Sequence, residues 1–363
     1  MTNQKELRFC VISPKEEEWS QIESAYDSTC FQTKQWFDYL KKVGYRPFVV
    51  AVSMDGERIG YFCGERLWRG AWLVTAPFDG MGTYTQGLAM LRFVTTSERV
   101  GIYKQLSKWI FDNHIASFFQ VDDWQLRQDS AGWDAGKASR NDLLDDEALR
   151  YEIRPTLHIS LNKKPEELWA GLHYKSCKYS VNKAHKLGLA VKLIKRKEDI
   201  PAFVETHYDQ LLEVCRRKGM KPKSAQGKRR MLALCESLYP DKVLMIEVVG
   251  NDENGITQIM SSGIFCIDKG ECSYWTGASY QRYQKYCPNE LMVWEAMRII
   301  SERGGGDLNF CGMASYKLKF GTIYAYVPRI VFTKKEWIYR GKLLAKDLYR
   351  RTRKIVGFKR KPK

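Results

Sequence analysis

The chain has 363 residues, enough for two domains, and 44% of them are hydrophobic, enough for ordinary cores. No apolar run approaches about 18 residues, so the sequence excludes a membrane-spanning helix. The formal net charge of +17 is concentrated in two blocks: residues 151–230 hold 19 basic against 8 acidic residues, and residues 334–363 hold 13 against 2. Such basic blocks predict a polyanionic partner, and the candidates are tRNA, a diphosphate-linked substrate and an anionic membrane. The alternative is that the charge only keeps the protein soluble.

The first half of the chain predicts a helix and then a β-hairpin. Thr33 or a neighbour can cap a helix through residues 36–40. Two apolar runs, 47–52 and 58–63, flank an Asp-Gly pair at residues 55–56, which is a strong hairpin signal.

A polar, glycine-containing stretch over residues 128–152 predicts a loop and a domain boundary. The second half then predicts these elements: strand 156–161, a helix from Pro165, a helix from Ala202 through Leu212, helix 228–238, strands 243–249, 256–267 and 272–276, helix 289–303 and strand 307–311. The two hairpins recur about 197 residues apart, from Phe48 to Met245. This repeat indicates a duplication, with a chance match of two α/β halves as the alternative.

Ten cysteines form no Cys-x-x-Cys pair, and no histidine stands beside them at metal-ligand spacing. They are typical of buried thiols in a reducing compartment, so we expect no metal site and no tightly bound cofactor. The first residues lack a basic segment followed by an apolar one. The sequence therefore predicts a cytoplasmic protein, with a peripheral position on the inner membrane face as an open alternative.

The tail, residues 336–363, interleaves apolar and basic side chains. At helical spacing these make one apolar and one basic face. Two interpretations stay open: an interfacial helix on an anionic membrane, or a helix docked on its own domain with a solvated basic face.

Three motifs lie close together near the end of the second half. Residues 308–321 predict a strand, a turn at Gly312 and a Tyr-Lys-x-x-Phe-Gly box. Upstream stand Cys-Ser-Tyr-Trp-Thr-Gly-Ala-Ser at 272–279 and Pro-Asn-Glu-Leu at 288–291. Together they resemble the second acyltransferase domain of the Fem-type aminoacyltransferases, a family with GNAT-like relatives in cell-wall and polysaccharide assembly.

This resemblance is strongest at residues 31–64 and 243–325. It implies an α/β (mixed α+β) fold with two tandem GNAT-like acyltransferase domains, residues 1–150 and 151–333, followed by a basic helical tail, 334–363. The order strand, strand, strand, helix, strand in the second half agrees with the core of a GNAT-like fold.

Acyl transfer to an amine needs positive charge or N–H donors at the oxyanion and a proton for the leaving atom. By resemblance, Lys317 stabilises that developing charge. If the box forms a strand edge, Lys317 and Lys319 share one face, and Lys319 is a phosphate contact or simply exposed. Asn289 stands near a helix start, where free N–H groups can bind a phosphate.

The resemblance and the local patterns together give a wider set of candidate substrate contacts. For each candidate there is also an interpretation without a functional role: a core aromatic, a helix cap or a surface cation. The candidates are Lys34 and Trp36 for the acceptor, Tyr274, Trp275, Asn289, Tyr316 and Lys319 in the cleft, and Lys175, Lys178 and Arg217 along a diphosphate or RNA backbone.

Three hypotheses follow for function. The first is transfer of an aminoacyl group from aminoacyl-tRNA to an amine of a lipid- or nucleotide-linked peptidoglycan precursor. The second is a GNAT-like N-acyltransferase that uses acyl-CoA on an amino sugar of a surface polysaccharide. The chain lacks an Arg/Gln-x-x-Gly-x-Gly/Ala pyrophosphate loop, which argues mildly against acetyl-CoA. The third is an RNA- or membrane-binding adaptor without catalytic activity.

Overall fold

The computed structural model describes residues 6–69, 71–76, 87–134, 144 and 149–358. The α-helices of these residues are α1 Glu16–Ser24, α2 Lys34–Lys42, α3 Thr96–Asp112, α4 Pro165–Gly171, α5 Tyr179–Lys186, α6 Ile200–Arg217, α7 Lys228–Leu238, α8 Pro288–Glu302 and α9 Glu336–Phe358. The strands are β1 Leu7–Ile12, β2 Pro47–Met54, β3 Glu57–Arg69, β4 Ala71–Ala76, β5 Leu88–Met90, β6 Phe118–Asp122, β7 Gln128–Ser130, β8 Arg150–Ser160, β9 Ala190–Leu193, β10 Val243–Asn251, β11 Thr257–Cys266, β12 Glu271–Ser279, β13 Asp307–Asn309 and β14 Ile323–Thr333.

The elements with the strongest local signals form as predicted. α2 begins at Lys34, and the Thr33 hydroxyl accepts a hydrogen bond from the Trp36 amide at 3.2 Å, as an N-cap does. The predicted hairpin is β2 and β3. Its turn residues Asp55 and Gly56 have φ angles of 51° and 91°, the left-handed conformation that a tight hairpin turn requires.

One mixed sheet runs through both halves of the described chain, in the order β1-β2-β3-β4-β6-β14-β8-β13-β12-β11-β10-β9. β14 is the last of the described strands in sequence, yet it lies antiparallel between β6 of the first half and β8. β8 in turn pairs with β13 of the second half. The domain boundary at residue 150 stays a prediction. One continuous sheet contains strands from both sides of it.

Aromatic side chains form a hydrophobic core where α1 and α2 meet α6 and α7. Trp36 is fully buried there, with its ring centroid 4.7 Å from that of Phe31 and 5.7 Å from that of Trp275. Large aromatics dominate the free energy gained by burial. This core therefore holds the two halves of the chain in a fixed orientation.

Two neighbouring strands run parallel and then separate in the second half. β12 and β13 are paired from Glu271–Asp307 to Ser273–Asn309. β13 ends at Asn309, whereas β12 continues to Ser279. The carboxyl ends of parallel strands are where open α/β sheets bind ligands. The sheet therefore places the segment after β13 and the second half of β12 at such an edge.

Candidate functional site

The chain leaves β13 through a strained turn. Cys311 has a φ angle of 53° and Gly312 one of 145°. Only glycine adopts the second value readily, which explains the residue found there. The turn predicted at Gly312 is confirmed, and it directs the following segment, residues 315–320, back over the edge of the sheet.

A buried amide holds this turn in place. Asn309 Nδ2 donates to Glu271 Oε1 at 2.8 Å. Asn309 Oδ1 accepts from Thr156 Oγ1 at 2.9 Å and from the Cys311 amide at 2.8 Å. Thr156 Oγ1 accepts from the Gly312 amide at 2.9 Å. Three strands, β8, β12 and β13, and the turn are thus joined through side chains that are fully buried.

Burial raises the pKa of Glu271 well above that of an ordinary glutamate, a shift that favours the neutral carboxyl group. Its Oε2 atom has no hydrogen-bond partner in the described part of the chain, and the same holds for the Ser273 hydroxyl two residues along β12. Within those residues no three His, Cys, Asp or Glu side chains come together as a candidate metal site.

Lys317 reaches into the space that this turn creates. Its side chain is 8% exposed, and Nζ donates to the carbonyl oxygen of Phe310 at 2.6 Å. Nζ lies 5.9 Å from the ring centroids of Tyr274 and Tyr316, a distance at which aromatic rings attract a cation. The ammonium group is therefore held by one carbonyl and two ring faces.

The surroundings of Lys317 lower its pKa. Burial has the largest effect, and repulsion from Lys223 and Lys218 acts in the same direction. Burial also raises the pKa of Cys311 to about 12, so that thiol stays neutral. No carboxylate of the described residues forms an ion pair with Lys317. Its charge is thus available to a substrate.

The strand-edge interpretation of the box is wrong. Residues Ser315–Phe320 form a 3₁₀ helix, in which side chains two positions apart point about 120° away from each other. Lys317 and Lys319 therefore do not share a face. Lys319 is largely buried and forms an ion pair with Glu290 at the start of α8.

The three aromatic candidates of the cleft have different surroundings. Tyr274 is buried and stacks on Phe265, and burial raises its pKa well above the usual value, with Tyr316 as a hydrogen-bonding neighbour. Tyr316 is exposed. Trp275 lies at a β-bulge and joins the core between the halves, where its buried Nε1 atom has no hydrogen-bond partner among the residues that the structure describes. Tyr274 and Tyr316 border Lys317, whereas Trp275 contacts Trp36.

The candidates of the first half stand apart from the box segment in their contacts. Trp36 belongs to the aromatic core described above. Lys34 is exposed on α2 and forms an ion pair with Asp38 at 3.1 Å. Their proposed role toward an acceptor stays a prediction.

The remaining candidates surround the box segment. Asn289 Nδ2 donates to Ser279 Oγ at 2.9 Å and so ties α8 to the end of β12. The His173 amide donates to the Lys319 carbonyl at 2.9 Å, which places the exposed Lys175 beside the box. Lys178 Nζ donates to the Ala170 carbonyl at 3.0 Å.

Arg217 and the two lysines that act on Lys317 lie near the end of α6. The Arg217 guanidinium contacts the side-chain amide of Gln284. Lys218 and Lys223 are exposed, and their positive charges lower the pKa of Lys317. Sequence reasoning missed Lys223, although the run 216–230 with eight basic and no acidic residues was a visible signal.

Comparison with known proteins agrees with this geometry. Residues 173–319, which include Lys317, match the family model described as an acetyltransferase (GNAT) domain. The structure of FemX superposes with a TM-score of 0.63 at 14% sequence identity, covering 88% of this chain and 96% of that one. No curated protein sequence matches this chain significantly.

Two further structures share the fold at lower similarity. L-PGS from Bacillus licheniformis has a TM-score of 0.52 at 11% identity, covering 91% of this chain and 95% of that one. A conserved protein of unknown function from Bacteroides thetaiotaomicron VPI-5482 has a TM-score of 0.51 at 11% identity, covering 89% and 100%. The expected mixed α+β fold is confirmed, the chain shares its fold with FemX, and residues 173–319 of the second half match a GNAT acetyltransferase domain.

Proposed function

We propose that this acyltransferase transfers an aminoacyl group from aminoacyl-tRNA to an amine of a peptidoglycan precursor. The observation that carries the proposal is Lys317, a nearly buried ammonium group with no carboxylate partner among the described residues, at the edge where β12 and β13 separate. It lies inside the segment that matches the GNAT domain.

The reaction requires the protein mainly to position the two substrates and to stabilise developing negative charge. A neutral amine attacks the ester carbonyl of the donor, a C–N bond forms, and the C–O bond to the tRNA ribose breaks. Negative charge develops first on the carbonyl oxygen and then on the leaving oxygen. Lys317 stabilises that charge as a cation, and the proton lost by the amine balances the one that the leaving oxygen gains.

Charge near Lys317 supports a polyanionic donor. Lys218 and Lys223 are exposed, their charges lower the pKa of Lys317, and they belong to the run 216–230 that contains no acidic residue. Lys175 is also exposed, and the nearby His173 amide donates to the Lys319 carbonyl of the box. Basic groups in such a position contact a phosphate backbone by releasing its counterions. Arg217 and Lys178 extend this surface toward the acceptor's diphosphate.

A second candidate function is N-acylation of an amino sugar with acyl-CoA in surface polysaccharide assembly. It is favoured by the family model, whose description is an acetyltransferase domain. The same lysine and the same charge argument apply, because CoA also carries phosphates. The two functions therefore differ in donor and acceptor, and not in the role of Lys317.

Donor choice is the first experiment. Purified protein is incubated with a lipid-linked cell-wall fraction and either radiolabelled aminoacyl-tRNA or radiolabelled acetyl-CoA. We expect label to move from the tRNA and Lys317→Ala to lower the rate about 100-fold or more, the usual effect of removing an oxyanion-stabilising group. Lys195→Ala, at an exposed lysine away from the box, is the control that keeps full activity.

Two results would change the proposal. Label that moves only from acetyl-CoA would establish the second function in place of the first. Lys317→Ala with wild-type turnover from either donor would remove Lys317 from the mechanism, provided that its thermal unfolding matches the wild type.

A further inference from the structure

The C-terminal helix α9 exposes a stripe of large apolar side chains. Trp337, Leu344 and Leu348 are 67%, 64% and 62% exposed. Their spacings of seven and four residues place all three on one face of the helix. Single exposed apolar residues are ordinary, but three aligned on one helix form a patch that marks an interaction site.

The opposite face of α9 is the one that contacts the protein. Lys342 Nζ donates to Gln120 Oε1 at 3.3 Å and lies 4.6 Å from the ring centroid of Phe118. The Tyr339 ring lies under the Arg150 guanidinium at 5.0 Å. At about 100° per residue, positions 339 and 342 are roughly 140–160° around the helix from Trp337. The stripe therefore points away from the domain.

Positive charge accompanies the stripe. The region 334–363 has 13 basic and 2 acidic residues. Arg340 and Arg351 flank the stripe within about 60°, with side chains 75% and 73% exposed. Each contacts a carboxylate one turn away, Glu336 or Asp347, in an exposed pair of the kind that contributes little free energy. Their charge therefore remains available to an external anion.

We propose that α9 is a membrane-surface helix that binds anionic lipid. Trp337, Leu344 and Leu348 enter the boundary between headgroups and acyl chains, and the flanking arginines contact the anionic headgroups. The helix lies along the surface: no described helix is long and apolar enough to cross a bilayer. This proposal holds for either donor, so its failure leaves the proposed transfer reaction untouched.

The charge and the apolar stripe together select lipid over two other partners. RNA would satisfy the basic residues and leave Leu344 and Leu348 in water. A second copy of the chain would cover the stripe, but it would bring another strongly basic tail against the first, which like charges oppose. Of these three partners, only an anionic bilayer presents negatively charged headgroups and an apolar interior at the same surface.

Vesicle flotation with the full chain tests the proposal. Vesicles of phosphatidylcholine alone are compared with vesicles containing about one quarter phosphatidylglycerol, at about 0.1 M salt, where surface charges are only partly screened. We expect at least a tenfold higher bound fraction on the anionic vesicles, and a loss of that gain at high salt. Leu344→Gln should lower binding several-fold.

Leu343→Gln is the matched control, because Leu343 is a neighbouring leucine that lies off the stripe. Circular dichroism and thermal unfolding should be the same for both variants, since each side chain is partly or largely exposed. Equal binding to neutral and anionic vesicles would overturn the proposal, as would equal effects of the two variants. Sedimentation showing a dimer that Leu344→Gln dissociates, without vesicle binding, would assign the stripe to a second copy instead.

Discussion

Two buried cations sit near the ends of parallel strands, one in each half, and their surroundings differ. In the first half, Arg99 is 3% exposed and is paired with two buried carboxylates, Asp27 and Asp123. In the second half, Lys317 has a backbone carbonyl and two aromatic rings. Asp123 directly follows β6 as Phe310 directly follows β13, so corresponding positions carry the two arrangements.

The difference lies in whether the buried cation has carboxylate partners. A buried ion pair satisfies its own charge, and removing one partner leaves the other uncompensated. A buried ammonium group that contacts only neutral acceptors has no carboxylate partner, so its charge can interact with a bound substrate. The cation of the first half is therefore part of a buried ion-pair cluster, whereas the cation of the second half is the one to which we assign a role in the proposed reaction.

The largest expected effect is on stability, from Arg99→Ala. Two buried carboxylates would be left without their cation, which costs about 3–5 kcal/mol in the free energy of unfolding. Urea denaturation measures the change. Arg92→Ala, at an exposed pair with Glu98, is the control and should cost less than about 1 kcal/mol. Equal small losses would show that the Arg99 cluster is not structural.

A third buried basic group, His207, sharpens the comparison because it is kept neutral. It is fully buried between Ser262 and Thr276, and burial lowers its pKa to about 4. The folded pKa is below the unfolded value of 6.5, so its contribution to stability is present above pH 6.5 and is lost as pH falls toward 4. The full loss is about 3 kcal/mol.

Unfolding free energies at pH 7 and pH 4.5 test this linkage. In His207→Gln the acid-side decrease should become smaller, whereas His185→Gln, at an exposed histidine, should keep it. An unchanged acid slope in His207→Gln would mean that other groups cause it.

The pH profile of transfer tests the functional cation. Because the pKa of Lys317 is lowered, its charge is lost as pH rises, at a lower pH than for an ordinary lysine of pKa 10.5. Activity should fall with it, and Lys317→Arg should retain part of the rate while moving that alkaline limb upward. An identical alkaline limb in both proteins would assign the titration to the acceptor amine or another group.

The smallest expected effect comes from the support of Lys317. Asn309→Ala would leave the Glu271 carboxyl, the Thr156 hydroxyl and the Cys311 amide short of partners, at about 1–3 kcal/mol of stability. The turn that presents the Phe310 carbonyl to Lys317 would loosen, so the maximal rate should fall more than the donor KM changes. Asn309→Asp, which keeps the acceptor oxygens, should recover part of the rate. A purely structural role would lower stability and leave the rate per folded molecule unchanged.

Local signals in the sequence predicted the secondary structure around the site better than the site itself. Helix 228–238 and the hairpin at Asp55 form as expected, because apolar periodicity and turn residues act over a few positions. The box at Lys317 was misread, since alternating lysines fit a strand as well as a 3₁₀ helix.

The polar cluster beneath the box could not be predicted from local pattern. Thr156 and Asn309 are 153 positions apart, and they meet only because β8 pairs with β13. In the sequence, Glu271 is an acidic residue that follows a turn, and only the folded sheet shows that it is buried. Such contacts depend on strand register, which single residues do not encode.

The position of β14 sets the order in which the protein can be completed during synthesis. β6 and β8 are not neighbours until Ile323–Thr333 lies between them. Both leave the ribosome long before that strand does, so each half emerges with an open sheet edge. The sheet edge of the first half is therefore covered only after residues 323–333 have been made.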